Sequence, residues 1–258
     1  MVFDLSVKNI SGDTLQLTRN SNYAITGVTG LTPVAANINT STAGINDGVL
    51  YNSARLGYRN IVITLYLTND IEKNRIKLYD FFQTKQFCTL YFSNDSRNVS
   101  ISGYVETFEC DLFSVSETVQ ISIICPKPYF QSALETINSA ETIVSILNNG
   151  DVATGMDIVI NFIGDVKNPV IQNTITDEFF RLNNTFVSGD KVTINTHSGE
   201  KSVILTHAGL DFNIINAVDD ASSWLQLQHG NNELHFNADS GTENMTMTFT
   251  HTDLFVGV

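Results

Sequence analysis

Alternation with a period of two runs through most of these 258 residues and confines the chain to sheet structure. A pattern that repeats every second residue puts one face of a strand in a core and leaves the other in solvent, whereas a helix needs a period near 3.6. Phe3, Leu5 and Val7 share one face, Ser11-Gly12-Asp13 supplies turn residues, and Leu15 and Leu17 return, which reads as an opening hairpin. In the segment 59–67, Ile61, Ile63, Leu65 and Leu67 alternate with Val62, Thr64 and Tyr66. Further strands are expected at 87–92, 98–109 and 117–125. After a turn at Asn148-Asn149-Gly150-Asp151, short strands follow at 156–163, 168–174, 178–183, 191–196, 202–206, 210–215, 223–228, 233–237 and 245–250. Their close spacing, without a strong helix, predicts an antiparallel β-sandwich.

Three stretches depart from that period. Between Asp70 and Lys85, Ile71, Leu78, Tyr79, Phe81 and Phe82 fall on one side of a helical wheel, opposite Lys73, Lys77, Asp80 and Thr84. This predicts an amphipathic helix of about four turns, capped by Asn69 or Asp70, packing on a sheet. Residues 131–147 read equally as helix or strand. Residues 32–57 hold Asn, Thr, Ser, Ala and Gly with little periodicity, although Gly48-Val49-Leu50-Tyr51 can start a strand. So long a connection inside a domain is functional, disordered, or a projecting hairpin that orders on a partner. It is therefore a candidate interface.

Charge divides the chain in two. Residues 1–130 hold eleven Asp/Glu against ten Lys/Arg, a net of −1; residues 131–258 hold sixteen against four, a net of −12, together with all five histidines. The boundary falls at Cys125-Pro126-Lys127-Pro128-Tyr129, where two prolines make a stiff, extended connector. Domains of 1–128 and 129–258 are expected. A net charge of −13 argues against nucleic-acid binding, which draws its affinity from cations on phosphates. No stretch approaches the ~18 apolar residues of a membrane span, and the start lacks the pattern of a secretory signal. Synthesis in a reducing cytoplasm is expected. Cys88, Cys110 and Cys125 sit among apolar or β-branched residues without metal-ligand spacing and read as small buried hydrophobes.

Catalytic patterns do not emerge. GxSxG, HExxH, P-loop and GxGxxG are missing from the sequence, so no enzyme and no cofactor are expected. His229 and His235 flank Gly230-Asn231-Asn232 and would face each other if that triplet were a hairpin turn, but two histidines without a third ligand make no metal site. Asp177-Glu178 and Asp219-Asp220 are neighbours in sequence. Strand neighbours point to opposite faces, so neither pair forms a two-carboxylate centre.

A resemblance spans almost the whole chain in order. Arg59-Asn60-Ile61, Ile71-Glu72, Arg75, Leu78-Tyr79 and Phe82 resemble the first domain of siphophage distal tail proteins. So do Gly103-Tyr104-Val105-Glu106, Asp111-Leu112-Phe113-Ser114, and the run from Val119 to Cys125 with Pro126, Pro128, Tyr129 and Phe130. In the second half, Asn148-Asn149-Gly150-Asp151 with Thr154-Gly155, Phe162, Gly164, Val166, Asn168-Pro169, Lys201-Ser202-Val203, Trp224-Leu225, Leu227, Gly230-Asn231 and Gly257-Val258 continue it. The resemblance implies a mainly β protein: an N-terminal β-sandwich with one amphipathic helix and a projecting hairpin, followed by a galectin-like antiparallel β-sandwich. It implies a structural virion protein of the tail tip or baseplate, made in the bacterial host. Copies close into a ring, usually hexameric, which joins the tail tube protein to the tail tip protein. Receptor-binding or baseplate proteins dock on it, and DNA passes through its lumen. On this reading Val49, Leu50 and Tyr51 anchor the hairpin to the next subunit. The alternative is a carbohydrate-binding module, in which an exposed Trp224 stacks on a cell-wall sugar beside His229, Asn231 and Asn232.

Overall fold

The computed structural model describes residues 3–42, 44, 47–110 and 117–258. The fragment Asp111-Leu112-Phe113-Ser114 lies outside these. The chain divides into two compact units, one of Met1–Ser132 with Phe255–Val258 and one of Ala133–Leu254. The second unit is thus inserted between two segments of the first, and the change of unit falls shortly after the Pro126/Pro128 connector.

In the first unit the strands are β1 (Asp4–Lys8), β2 (Thr14–Gln16), β3 (Tyr23–Thr29), β4 (Ala36–Ser41), β5 (Leu50–Leu56), β6 (Arg59–Leu67), β7 (Phe87–Ser93), β8 (Asn98–Cys110), β9 (Thr118–Cys125) and β10 (Phe130–Gln131). Helix α1 (Ile71–Tyr79) follows β6. Ladders run in the order β2-β1-β7-β8-β9-β6-β3, with β10 joined to β8, so that hydrogen bonds connect these strands in a single sheet. The alternating residues bury one face: Leu5 and Val7, Ile61 to Leu67, Cys88 to Phe92, and Val119 to Cys125 meet in one apolar cluster with Leu78, Phe81 and Phe82. Burial of this kind contributes about 1.5–3 kcal/mol per large side chain.

Helix α1 is shorter than its pattern suggests. After Tyr79 the Phe81 and Phe82 amides both turn back to the Leu78 carbonyl, and Lys85 adopts a left-handed backbone. Leu78, Phe81 and Phe82 are buried as expected, but Tyr79 is exposed and the buried partner one turn before Leu78 is Asn74. Neither Asn69 nor Asp70 caps the helix through its side chain; instead the Asn74 side-chain Nδ2 donates to the Asn69 carbonyl at 2.6 Å. Asp70 takes a left-handed conformation, and Glu72 pairs with Arg75 across one turn at 2.7 Å.

The second unit contains β11 (Glu135–Ser139), β12 (Ile143–Asn148), β13 (Met156–Phe162), β14 (Val166–Lys167), β15 (Val170–Asn173), β16 (Glu178–Arg181), β17 (Thr185–Phe186), β18 (Lys191–Asn195), β19 (Ser202–His207), β20 (Leu210–Asn213), β21 (Gly230–Asn237) and β22 (Met245–His251). The final strand, β23 (Leu254–Phe255), runs out of it and pairs with β10. A six-stranded sheet, β11-β22-β13-β18-β19-β20, and a four-stranded sheet, β12-β21-β15-β16, send their inward residues into one cluster. Ile158, Ile160, Ile194 and Phe249 come from the first; Ile146, Ile171, Phe180 and Phe236 come from the second. That is a sheet-on-sheet core. Residues 131–147 are extended as β11 and β12. The strand expected at 223–228 is absent, and only Leu227 forms a bridge there, to Thr154.

Candidate functional site

Of the three readings left open for 32–57, the structure has the hairpin. β4 and β5 pair only with each other, and every residue of both strands is exposed. A lone two-stranded hairpin is marginal in water, so this one is unpartnered surface within the single chain. Its register decides what that surface is. Ala36 pairs with Leu56, Ile38 with Ala54 and Asn39 with Ser53, but Thr40 then pairs with Tyr51, so a bulge absorbs Asn52. Without the bulge, Tyr51 would fall on the face opposite Ala54. With it, Ile38, Ala54, Leu56 and Tyr51 share one face, while Asn37, Asn39, Ser53, Arg55 and Leu50 share the other. Ile38 is 61% and Tyr51 66% exposed.

The sequence-based anchors are therefore divided. Tyr51 lies on the apolar face, Leu50 on the polar one, and Val49 just before the strand. Ile38 and Leu56 were not singled out in the sequence, because a bulge displaces the period that would reveal them.

The hairpin's base is held by Arg59, the first residue of β6 and only 2% exposed. Its Nη1 donates to the Thr32 carbonyl at 2.7 Å and also to that of Gly30; its Nε reaches Pro128 O at 2.7 Å and its Nη2 reaches Val256 O at 2.8 Å. The guanidinium lies 4.5 Å from the centre of the Phe130 ring. Burial pulls its pKa below the usual arginine value, with a smaller opposing effect from Cys125. Burial likewise pushes the Cys88 and Cys125 thiols up to about 12, which fits small core residues and not nucleophiles. Arg59 entered the sequence reading only as part of a family pattern. Strand periodicity alone does not announce a buried arginine.

The proposed sugar contacts have separate environments. Trp224 is half-buried, not exposed: it packs at 5.1 Å against Phe180, with the Lys201 ammonium 5.4 Å from its ring centre. His229 Nδ1 bonds with the Gly150 carbonyl at 2.6 Å, and Asn231 accepts from the Ser145 hydroxyl at 2.7 Å. Asn232 is fully buried, where its side chain receives the Gln228 amide and donates to the Gln228 and Gly230 carbonyls. Nor does Gly230-Asn231-Asn232 form a hairpin turn. It opens β21 and pairs with β12, so His229 and His235 do not face each other across a turn, and His235 pairs with Glu233 at 2.9 Å. Asp177 accepts from Gln172, and Asp219 from Asn183 and the Ala221 amide. Among the described residues, no group of three His, Cys, Asp or Glu side chains is placed to hold a metal ion, and no helix is long and apolar enough to cross a membrane.

Residues 149–252 match the family model of the siphovirus-type tail component, C-terminal domain. The matched stretch lies within the second unit. The whole chain also shares the fold of the Dit protein of phage SPP1, whose structure is described as a paradigm of the hub adsorption apparatus in phages infecting Gram-positive bacteria. That likeness has a TM-score of 0.71 at 16% identity and covers 99% of this chain and 100% of the other. A chain of the phage P2 baseplate, in its activated conformation with Ca, is similar with a TM-score of 0.55 at 12% identity, covering 100% of both chains. A second P2 baseplate structure, with Sr, gives 0.51 at 12% identity over 97% of this chain and 98% of the other. No curated protein sequence matches. The match over residues 149–252 and the shared fold of SPP1 Dit agree with the resemblance to siphophage distal tail proteins read from the sequence.

Proposed function

We propose that the chain builds the hub of a siphophage tail tip as a structural virion protein. Copies close into a ring, six in number by analogy with the family, in which the β4–β5 hairpin of each subunit lies on the next. The ring joins the tail tube protein to the tail tip protein, offers a platform for receptor-binding or baseplate proteins, and lets DNA through its lumen. The observation that carries this reading is the hairpin: thirteen strand residues exposed in the single chain, with Ile38, Tyr51, Ala54 and Leu56 gathered on one face. A closed ring needs two different complementary surfaces on each subunit, and a projecting apolar hairpin is one of them. The near-neutral first half, with a net charge of −1, gives no net attraction for passing DNA.

Deleting residues 36–54 tests the reading. The purified full chain should run in light scattering as a closed oligomer with ring-shaped particles in negative stain, and the deletion should leave a folded monomer. An intact ring after the deletion would refute the role given to the hairpin.

A further inference from the structure

The first unit needs residues that are synthesised after the second, because Phe255–Val258 belong to it. Those residues are held at several points. The Val256 carbonyl accepts from Arg59, the Val258 amide donates to the Leu31 carbonyl at 3.1 Å, and Arg97 donates to the Gly257 carbonyl. The Arg97 guanidinium also lies 4.7 Å from the centre of the Phe255 ring, and Phe255 and Val258 pack against the first unit's apolar cluster. Each of the four oxygens around Arg59 is a backbone carbonyl, on Gly30, Thr32, Pro128 or Val256. Removing one acceptor from a buried guanidinium leaves a donor that water cannot freely reach, which costs more than the bond itself contributes. Two of the remaining carbonyls, on Gly30 and Thr32, lie on the chain leading into the hairpin, so a loosened cage loosens the hairpin's base.

We propose that residues 255–258 are a latch that completes the first unit only after the second has been made, so that the base of the hairpin is set after the second unit and chains lacking the latch stay out of assembly. The link to assembly rests on the hub reading; the latch itself does not. Until residues 255–258 arrive, Arg59 lacks its Val256 acceptor and the apolar cluster lacks Phe255 and Val258.

Hydrogen-exchange mass spectrometry compares the full chain, a chain ending at Leu254, and Phe255→Ala. In the shortened chain, peptides covering 24–33, 57–62 and 125–131 should lose protection by at least ~10-fold, while 156–162 and 245–251 exchange as in the full chain. Phe255→Ala should give a smaller loss at the same peptides, which keeps the test readable if the shortened chain does not fold. Unchanged exchange in the first unit overturns the latch, and so does a loss spread evenly over both units. Light scattering on the same samples separates the second claim: lost protection with undiminished assembly overturns the link to assembly and leaves the latch standing.

Discussion

The two units reach an apolar core by different routes, and the difference bears on which of them the proposed ring would use. The second closes two sheets on each other and carries the acidic half of the chain. The first joins its core strands in one sheet, is nearly neutral, buries Arg59 among carbonyls, and extends a hairpin whose apolar face is exposed among the described residues. A sealed acidic sandwich stays soluble among its copies through charge repulsion. A neutral unit with an uncovered apolar face is suited to meet them.

Substitutions that strike one unit at a time can break this contrast. The largest effect is expected for Arg59→Met, which strands four carbonyls and empties a cage at the hairpin's base. A loss of about 3–5 kcal/mol from the first unit, read by urea denaturation, follows from leaving several buried carbonyls without a donor, at about 1–3 kcal/mol each before relaxation. Next come two glycines in matching predicaments. Gly30 and Gly241 both have φ near 80°, and a Cβ at either would stand about 2 Å from a backbone oxygen, that of Asn60 in the first unit and of Asp165 in the second. Gly30→Ala and Gly241→Ala should each cost about 3 kcal/mol in their own unit, because backbone has to move to admit the methyl group. Local exchange should show the loss confined to the mutated unit. A loss shared by both units would dissolve the contrast.

A weaker effect separates the units by pH. In the second unit, a hydrogen bond from Asn168 and then one from Arg181 hold the Asp239 carboxyl below its ordinary value, and Asn183 with the Ala221 amide does the same for Asp219. A carboxyl with a lowered folded pKa adds stability that is present above its unfolded pKa and is lost as pH falls through the folded one. The second unit should therefore weaken as pH falls below about 5, through the ordinary carboxyl value and on beneath it, and Asp239→Asn should shrink that fall. An identical pH profile in the variant would remove Asp239 from the account. Smallest in stability, and confined to assembly, are Ile38→Ser and Tyr51→Ser. Both sites are exposed in the single chain, so folding should change by no more than about 0.5 kcal/mol.

Much of the sheet structure was legible because it rests on alternation: Ile61 to Leu67 and Val119 to Cys125 are buried as their period requires. What escaped has specific physical reasons. The bulge at Asn52 shifts the side-chain period by one, so Val49-Leu50-Tyr51 looked like a compact anchor while the apolar face is Ile38, Tyr51, Ala54 and Leu56. Helix α1 stops at Tyr79 because the Leu78 carbonyl takes both the Phe81 and Phe82 amides, which a helical wheel does not show. Trp224 has the composition of a sugar platform but is folded down on Phe180. The return of Phe255–Val258 to the first unit is a long-range event with no local signature. The family pattern, by contrast, included Arg59 without giving the physical reason, which is the carbonyl cage around it.

The most direct test of the central claim, that the hairpin's apolar face joins one copy to the next, is light scattering on Ile38→Ser/Tyr51→Ser beside the unaltered chain. The unaltered chain should elute as a closed oligomer and the variant as a folded monomer with the same far-ultraviolet circular dichroism. A variant that assembles to the same mass as the unaltered chain would contradict the claim.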